Sequence, residues 1–392
     1  MHSWGLCQSC NTPQHCPGLY ASRPGASCTR PGRQAVAVSA AGLPDAVGEL
    51  RSLVSNALEA IKPPATNGSG PTESVEADTG GAKSDEYSNT MNQQMGSSLE
   101  YRHEAGMNFA VVLADILVGS CLQKAEDVDR LVEEQGVGAI LCLQEDSDMA
   151  WFDLDVTPIL ERCKQRGDIQ HIRYRIRDFD PFDLRVRLPG AAQIIADQVA
   201  QGRKVYIHCT AGMGRAPASA LAYMTWCRGM SLKDAHRLLT SVRACNPRLV
   251  AIRQAACDLL LDGGTRQKVV LAFSRTGTAQ QVQVAGLDVG WGQRIDLQRD
   301  SKTHRYVTER TLPVGKFPYR LVFDETIWTC SADHPTMKDG DHTNNYVEVM
   351  GSSAPDAVEA RARIMTEDGD FTQAERSQLE KLFADGKLRD NQ

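Results

Sequence analysis

Short apolar runs alternate with helix-like patterns through the middle of the chain. The predicted strands cover residues 109–113, 116–119, 139–143, 170–176 and 205–207. The predicted helices cover residues 125–134, 159–166 and 188–201, with one more beginning at Pro217. Because strands that alternate with helices are typical of a mostly parallel sheet covered on both faces, we predict an α/β domain over residues 85–263.

The pattern changes after Gly263 and Gly264. Residues 267–273, 281–286, 305–312 and 317–323 alternate between apolar and polar positions and are separated by turn signals. This spacing predicts a small antiparallel β-sandwich over residues 266–350. Residues 357–365 and 371–384 then show helical patterns, and the second has an apolar face that needs a partner: Leu379, Leu382 and Phe383. We therefore expect a helical C-terminal segment, 351–392, whose apolar face packs on another part of the chain.

The N-terminal part has a different composition. The first 41 residues contain no Asp, Glu or Lys but carry arginines, which is typical of an organelle transit peptide. We predict a plastid transit peptide over residues 1–45 and a largely disordered linker over residues 46–84, rich in Pro, Gly, Ser, Thr and acidic residues. Four potential zinc ligands lack a second ligand pair at finger spacing, so no metal ion or cofactor is predicted: Cys7, Cys10, His15 and Cys16.

Charge and cysteine content exclude several classes of protein. A net charge of −6 provides no basic surface for nucleic acid or an anionic membrane. No continuous apolar run is long enough for a transmembrane helix. The 12 cysteines are scattered along the chain, which favours free thiols over a secreted disulfide framework. We expect a monomer.

The segment from Val205 to Pro217 combines a strand, a glycine-containing loop and the start of a helix. Such a turn directs backbone N–H groups and the positive helix end towards one point, where a phosphate dianion can bind. The predicted phosphate-binding loop consists of Thr210, Ala211, Gly212, Met213, Gly214 and Arg215. The planar guanidinium of Arg215 is suited to holding two phosphoryl oxygens.

Cys209 stands at the start of this loop, where the positive field is expected to stabilise its thiolate as a nucleophile. The spacing Cys-x5-Arg resembles that of the cysteine-dependent phosphatases, and the domain resembles the dual-specificity phosphatases. That resemblance implies a general acid about thirty residues upstream, which Asp178 matches, with Asp180 and Asp183 as alternatives. Many relatives carry Ser or Thr where this chain has Ala216, so slower hydrolysis of the phosphoenzyme is expected.

Motifs in both domains resemble one family more specifically. Residues 286–295, 312–320, 324–328 and 338–346 look like the starch- and glycogen-binding modules of starch-metabolic enzymes. Together with the loop after His208 and residues 87–108, they resemble the plastid phosphoglucan phosphatases of the starch-excess type. The resemblance implies hydrolysis of phosphate monoesters of starch-like α-glucans in the plastid stroma, at starch granules. A phosphoprotein phosphatase targeted to starch and a non-catalytic starch-binding scaffold are the alternatives.

The same resemblance implies that the C-terminal segment packs on the α/β domain, and it also implies the glucan contacts. Those beside the catalytic loop are Tyr101, Phe152 and Phe179, and those in the module are Trp291, Arg320, Trp328 and Asn345. Asn246 replaces an aromatic residue of the family, so one stacking surface is missing. Cys142 ends a strand beside that of Cys209, which leaves an inert core thiol or a redox partner as interpretations. Resemblance to redox-regulated plastid enzymes favours a Cys142–Cys209 disulfide.

Overall fold

The structure is a computed structural model that describes residues 79–262, 266–274, 279–339, 342–386 and 388. The predicted transit peptide, the four N-terminal cysteine and histidine ligands and most of the predicted linker lie outside these residues. Within the described ranges, no helix is long and apolar enough to cross a membrane.

A five-stranded sheet forms the centre of the α/β domain. Its strands are β1 (Phe109–Leu113), β2 (Ile116–Gly119), β3 (Val137–Cys142), β4 (Gln170–Arg173) and β5 (Lys204–His208). The spatial order is β1-β2-β5-β3-β4, and only β1 runs antiparallel to its neighbour. The predicted mostly parallel sheet is therefore confirmed. Since β5 lies in the middle, the catalytic loop that follows it starts at the centre of the sheet edge.

Eight helices of this domain are described: α1 (Thr79–Met95), α2 (Ala125–Gln135), α3 (Asp146–Trp151), α4 (Thr157–Arg166), α5 (Pro181–Ala200), α6 (Arg215–Trp226), α7 (Leu232–Val242) and α8 (Leu249–Leu260). A short 3₁₀ helix covers His103–Ala105. Helix α1 begins inside the segment predicted to be a disordered linker, so that boundary lies too late in the sequence. Helix α5 begins at Pro181 rather than Leu188, because Asp180 caps its N-terminus and proline suits its first turn.

The two faces of the sheet are covered by separate hydrophobic clusters. The larger contains residues of helices α5, α6 and α8, including Leu188, Leu221 and Ile252. The smaller lies under helices α2 and α4 and includes Val128 and Ile159. This burial on both faces explains why the strands read as continuous apolar runs.

Two antiparallel sheets form the C-terminal module. One has the order β6-β10-β9, from β6 (Gln267–Phe273), β9 (Gln298–Arg299) and β10 (Tyr306–Leu312). The other contains β7 (Val282–Gly286), β8 (Ile295–Asp296), β11 (Gly315–Phe323), β12 (Ile327–Thr329), β13 (Thr336–Asp339) and β14 (His342–Val349). A shared apolar core, including Leu271, Val284 and Tyr319, packs them together.

Helices α9 (Pro355–Ile364) and α10 (Gln373–Ala384) complete the chain. Leu379 and Phe383 are buried in the large cluster of the α/β domain, as is Ile364. The ring of Phe383 stacks on Trp226, with 6.1 Å between ring centroids. The tail is therefore part of the core of the α/β domain, as its apolar face predicts.

Candidate active site

The loop between β5 and α6 is built around a glycine that no other residue can replace without strain. Gly212 has a φ of 68°, and an added Cβ would lie 2.2 Å from the carbonyl oxygen of Gly119. Arg243 stabilises the loop through two hydrogen bonds. Its Nε donates to the Gly212 carbonyl at 2.6 Å and its Nη2 donates to the Ala211 carbonyl at 2.9 Å. Sequence reasoning missed Arg243, since nothing local links it to the loop.

Arg215 is the most densely bonded side chain of the site and is only 3% exposed. Its Nη1 donates to Asp148 Oδ2 at 2.5 Å and to the Ile176 carbonyl at 2.9 Å. Its Nη2 lies 2.8 Å from Asp178 Oδ2 and 3.2 Å from Thr210 Oγ1. Two carboxylates thus fix the guanidinium beside the buried Cys209. Asp148, on helix α3, was not found from the sequence because its role depends on a distant residue.

Asp178 has the environment expected of a general acid. Burial raises the pKa of its carboxyl above the ordinary value, although Arg215 acts in the opposite direction. The hydroxyl of Tyr87 donates to Asp178 Oδ2 at 2.7 Å. A carboxyl group with a raised pKa keeps its proton at higher pH, as proton donation to a leaving group requires.

The two alternative aspartates have structural partners instead. Asp180 accepts hydrogen bonds from the backbone N–H groups of Phe182 and Asp183 and so caps helix α5. It also pairs with Arg177 at 3.0 Å. Asp183 accepts from the Arg177 backbone at 2.8 Å. These contacts favour Asp178, which alone of the three pairs with Arg215 in the described structure.

An aromatic cluster lies beside the catalytic loop. The ring of Tyr87 is 5.7 Å from those of Tyr101 and Phe152 and 5.8 Å from that of Phe179. Phe152 and Phe179 are half-buried, but Tyr101 is 1% exposed, so in this conformation it supports the cluster and offers no surface to a sugar. Its role as a direct glucan contact stays a prediction.

Helix α1 runs across this region and supplies contacts that sequence reasoning did not predict. Besides Tyr87, it places the Met95 side chain next to Gly214, 3.5 Å from where a Cβ would stand. Asn246 donates through Nδ2 to the Met95 carbonyl at 2.8 Å. The residue that replaces a family aromatic thus anchors the end of α1.

A narrow cleft opens at Arg215. It has a volume of about 30 Å³ and is lined by residues of α1, the Asp178 loop, the catalytic loop and the segment after α7, among them Met95, Phe179, Gly214 and Asn246. Asp178 Oδ2 lies 2.8 Å from Arg215 Nη2 beside this cleft, so phosphoryl oxygens that bind Arg215 at Nη2 must displace that carboxylate.

Three of the four predicted glucan contacts of the module lie near its surface. Trp291 and Trp328 are 39% and 37% exposed, and Arg320 is half-buried. Arg294 links the two tryptophans: its guanidinium lies 4.4 Å from the Trp328 ring centroid, and its Nη1 donates to the Trp291 carbonyl at 2.7 Å. Such exposed rings suit stacking on the apolar face of a sugar.

The fourth, Asn345, is fully buried. Strand alternation explains this, because Asn345 pairs with Tyr319 and shares its core-facing side, whereas Trp328 pairs with Val322 on the opposite face. Its Oδ1 accepts from the Ser331 N–H at 2.6 Å and its Nδ2 donates to the Ser331 carbonyl at 2.9 Å. Asn345 shapes a loop in this conformation, and its role as a glucan contact stays a prediction.

Asp288 connects the module to the Asp178 loop. Arg177 donates through Nη2 to the Asp288 carbonyl at 3.2 Å, and Arg310 donates through Nε to the Asp288 carboxylate at 2.9 Å. Gly290 is close to Asp180, which stands 3.0 Å from the position of a Cβ. The loop that carries Trp291 is therefore in contact with the loop that carries Asp178.

Cys142 and Cys209 are both buried free thiols in this structure. Burial raises the pKa of the Cys142 thiol to about 11. The predicted disulfide between them stays a prediction.

Comparisons with known proteins agree with both domains. Residues 129–254 match the dual specificity phosphatase catalytic domain family. Residues 268–355 match the glycogen recognition site of AMP-activated protein kinase. These are the two regions that hold the Cys209 loop and the exposed tryptophans.

Curated relatives extend the match to the whole architecture. The chain is 43% identical to phosphoglucan phosphatase DSP4, amyloplastic, of Castanea sativa, covering 80% of this chain and 85% of the relative. It is 30% identical to phosphoglucan phosphatase LSF1, chloroplastic, of Arabidopsis thaliana, covering 69% of this chain and 46% of that protein. Laforin of Mus musculus is 26% identical over 36% of this chain and 45% of its own length.

Proposed function

Because the chain belongs to the phosphoglucan phosphatase family, we propose that it hydrolyses phosphate monoesters of starch-like α-glucans through a cysteinyl-phosphate intermediate. The observation that carries this proposal is the position of Cys209, Arg215 and Asp178 in one buried site, next to a module with exposed tryptophans. An enzyme for a soluble phosphoprotein has no need for that module.

The first step is formation of the cysteinyl phosphate, and the polar contacts of Arg215 and Asp178 indicate how it proceeds. The Cys209 thiolate attacks phosphorus, and Arg215 binds the phosphoryl oxygens once Asp178 has separated from it. As the bond between phosphorus and the sugar oxygen breaks, Asp178 gives its proton to that oxygen. The raised pKa of Asp178 supports this role. The glucan leaves with a free hydroxyl group, and phosphate stays on the Cys209 sulfur.

In the second step the Asp178 carboxylate takes a proton from water, which attacks phosphorus and breaks the bond to sulfur. Ala216 provides no hydroxyl for the departing thiolate. The hydroxyl of Ser219, one turn further along α6, donates to the Arg215 carbonyl at 3.0 Å, which orients it along the helix. We therefore expect hydrolysis of the intermediate to limit the rate.

Glucan binding is proposed to use both domains. The proposed contacts in the module are Trp291, Arg320, Trp328 and Asn345, and those beside the catalytic loop are Tyr101, Phe152 and Phe179. The contacts of Asp288 with Arg177 and Arg310 support this proposal, because they join the loops that carry Trp291 and Asp178.

The test is phosphate release from phosphorylated amylopectin by wild type and by Cys209→Ser, with an aryl phosphate as the comparison substrate. We expect release from the glucan that depends on Cys209. Activity on the aryl ester alone would support a phosphoprotein phosphatase brought to starch by its module. No activity on either substrate under reducing conditions would support a non-catalytic scaffold.

The relatives' names support a location in plastids, and we propose the stroma, at starch granules, with the protein acting as a monomer. A fluorescent fusion of residues 1–60 that remains in the cytosol would contradict import. Sedimentation at micromolar concentration tests the oligomeric state.

We also propose redox control of Cys209 by Cys142. A peroxide converts the Cys209 thiolate to a sulfenic acid, the Cys142 thiol attacks that sulfur, water leaves, and a thiol reductant later reverses the disulfide. We expect Cys142→Ser to lose recovery by thiols after peroxide treatment. Unchanged inactivation and recovery in that variant would refute the disulfide.

A further inference from the structure

Three neighbouring strands bring a thiol and two imidazoles together on one face of the central sheet. Cys142 ends β3 and pairs with His208, which ends β5, while His171 of β4 pairs with Ile140. The sulfur of Cys142 and one ring nitrogen of each histidine lie within 4.8 Å of one another. These residues are far apart in the sequence, so they form no recognisable metal-ligand motif.

His208 has an unused nitrogen in this cluster. Its Nδ1 lies 3.1 Å from the Cys209 carbonyl oxygen, which can only accept, so Nδ1 carries the hydrogen. The lone pair is then on Nε2, which is buried and has no hydrogen-bond partner in the described structure. Side chains this buried are usually paired, and an unpaired one needs an explanation. His208 itself is 2% exposed.

Both rings are in the form that binds metals. Burial lowers the pKa of His208 to about 3 and that of His171 to about 4. Burial therefore favours neutral imidazole, the form whose lone pair can bind a metal. Arg173 adds positive charge nearby, and its ion pair of 2.9 Å with the exposed Asp146 offsets only part of that charge.

We propose that Cys142, His171 and His208 form a binding site for a divalent ion of the zinc class. One sulfur and two imidazole nitrogens are ligands that Zn²⁺ prefers, and water completes the tetrahedron from the side of the half-buried His171. Ligand atoms of a tetrahedral zinc site stand about 3.5 Å apart, so the ligand atoms approach one another by at most about 1.3 Å when the ion binds.

Binding releases a proton. The Cys142 S–H bond breaks, the sulfur bonds to the metal, and the proton passes to solvent, so metal affinity rises with pH. The bound ion also occupies the sulfur that the proposed disulfide needs. Zinc therefore protects Cys142 from pairing with Cys209. Its ligand His208 directly precedes the nucleophile Cys209 in the sequence.

The test is cobalt(II) binding to the full chain carrying Cys209→Ser, which removes the catalytic thiol. Cobalt bound to a thiolate gives a charge-transfer absorption band, and bound metal per chain is counted after desalting. The N-terminal cysteines are potential competing ligands for cobalt. The proposal is therefore judged by the difference in bound cobalt per chain between variants. We expect Cys142→Ser and His171→Ala, each added to this background, to bind one cobalt fewer per chain.

Matched controls are Cys257→Ser, another buried free thiol, and His236→Ala, a histidine outside the cluster. Both should keep the full cobalt content. Far-ultraviolet circular dichroism monitors folding, and if Cys142→Ser does not fold, His171→Ala decides, because its side chain is half-buried on an edge strand. Full cobalt content in His171→Ala would overturn the proposal.

Discussion

At the residue scale, Asp178 and Asp180 have different hydrogen-bond and ion-pair partners. We therefore expect their substitution to have different effects on kcat. Asp178→Asn removes the proton donor, and we expect kcat on phosphoglucan to fall by about 10²–10⁴-fold. Asp180→Asn keeps an effective helix cap, so kcat should stay within a few-fold of wild type. Steady-state kinetics on phosphorylated amylopectin decide between them. Equal losses in both variants would contradict the assignment of Asp178.

Tyr87 makes a prediction about pH dependence. Burial raises the pKa of Asp178, and the hydrogen bond from Tyr87 lowers it, so loss of that bond raises it further. Because Asp178 acts when protonated in the formation of the phosphoenzyme, kcat/KM falls as pH rises through its pKa. Tyr87→Phe should therefore move the alkaline limb of the profile of kcat/KM against pH to higher pH. An unmoved limb, with only a lower melting temperature, would show that Tyr87 has a purely structural role.

The role of a single residue was predictable from the sequence only where it depends on residues a few positions away. Cys209, Gly212 and Arg215 stand within a few positions of each other, and their spacing alone indicates a phosphate loop. Asp148, Tyr87 and Arg243 act through contacts with residues far along the chain. Only the folded chain brings them to the loop.

At the element scale, strand β12 and the loop after β7 hold the exposed tryptophans. Trp328→Ala removes a flat surface for sugar stacking, so we expect glucan binding to weaken by about tenfold, while activity on an aryl phosphate is unchanged. Val270→Ala, an exposed change on the other sheet, is the control. Binding to insoluble starch in a sedimentation assay measures the effect. Equal losses in both variants would argue against a specific stacking surface.

Element boundaries show where sequence reasoning succeeded and failed. The central strands were predicted well because they are buried on both faces and continuously apolar. Helix α1 was missed because it is polar overall, although Tyr87, Met91 and Met95 recur at helical spacing and form its contact with the core. The burial of Asn345 was not predictable, because the register of β14 against β11, which sets its face, is not visible in one strand.

At the scale of the whole molecule, the C-terminal helices complete the core of the α/β domain. Deletion after Gly351 exposes the apolar groove that Ile364, Leu379 and Phe383 fill, so we expect insoluble protein. Recovery of soluble protein after expression is the measurement. A soluble truncation with an unchanged melting temperature would contradict this role.

A single substitution tests the contact between the C-terminal helices and the α/β domain without removing the helices. Phe383→Ala should lower the free energy of unfolding by about 3–5 kcal/mol, the usual cost of removing a buried phenyl ring. Lys381→Ala, an exposed change on the same helix, should have little effect. Chemical denaturation of both variants provides the comparison.

The stacking of Phe383 on Trp226 also has a spectroscopic consequence. Trp226 is 1% exposed, whereas Trp151, Trp291 and Trp328 are at least 37% exposed. Its indole should therefore emit at shorter wavelength and resist an aqueous quencher such as iodide, which reaches the three other tryptophans that the structure describes. Undocking of the tail would shift the emission to the red, while a bound glucan would shield Trp291 and Trp328 from iodide. The intrinsic fluorescence of the protein thus distinguishes loss of the tail from occupation of the module without any added label.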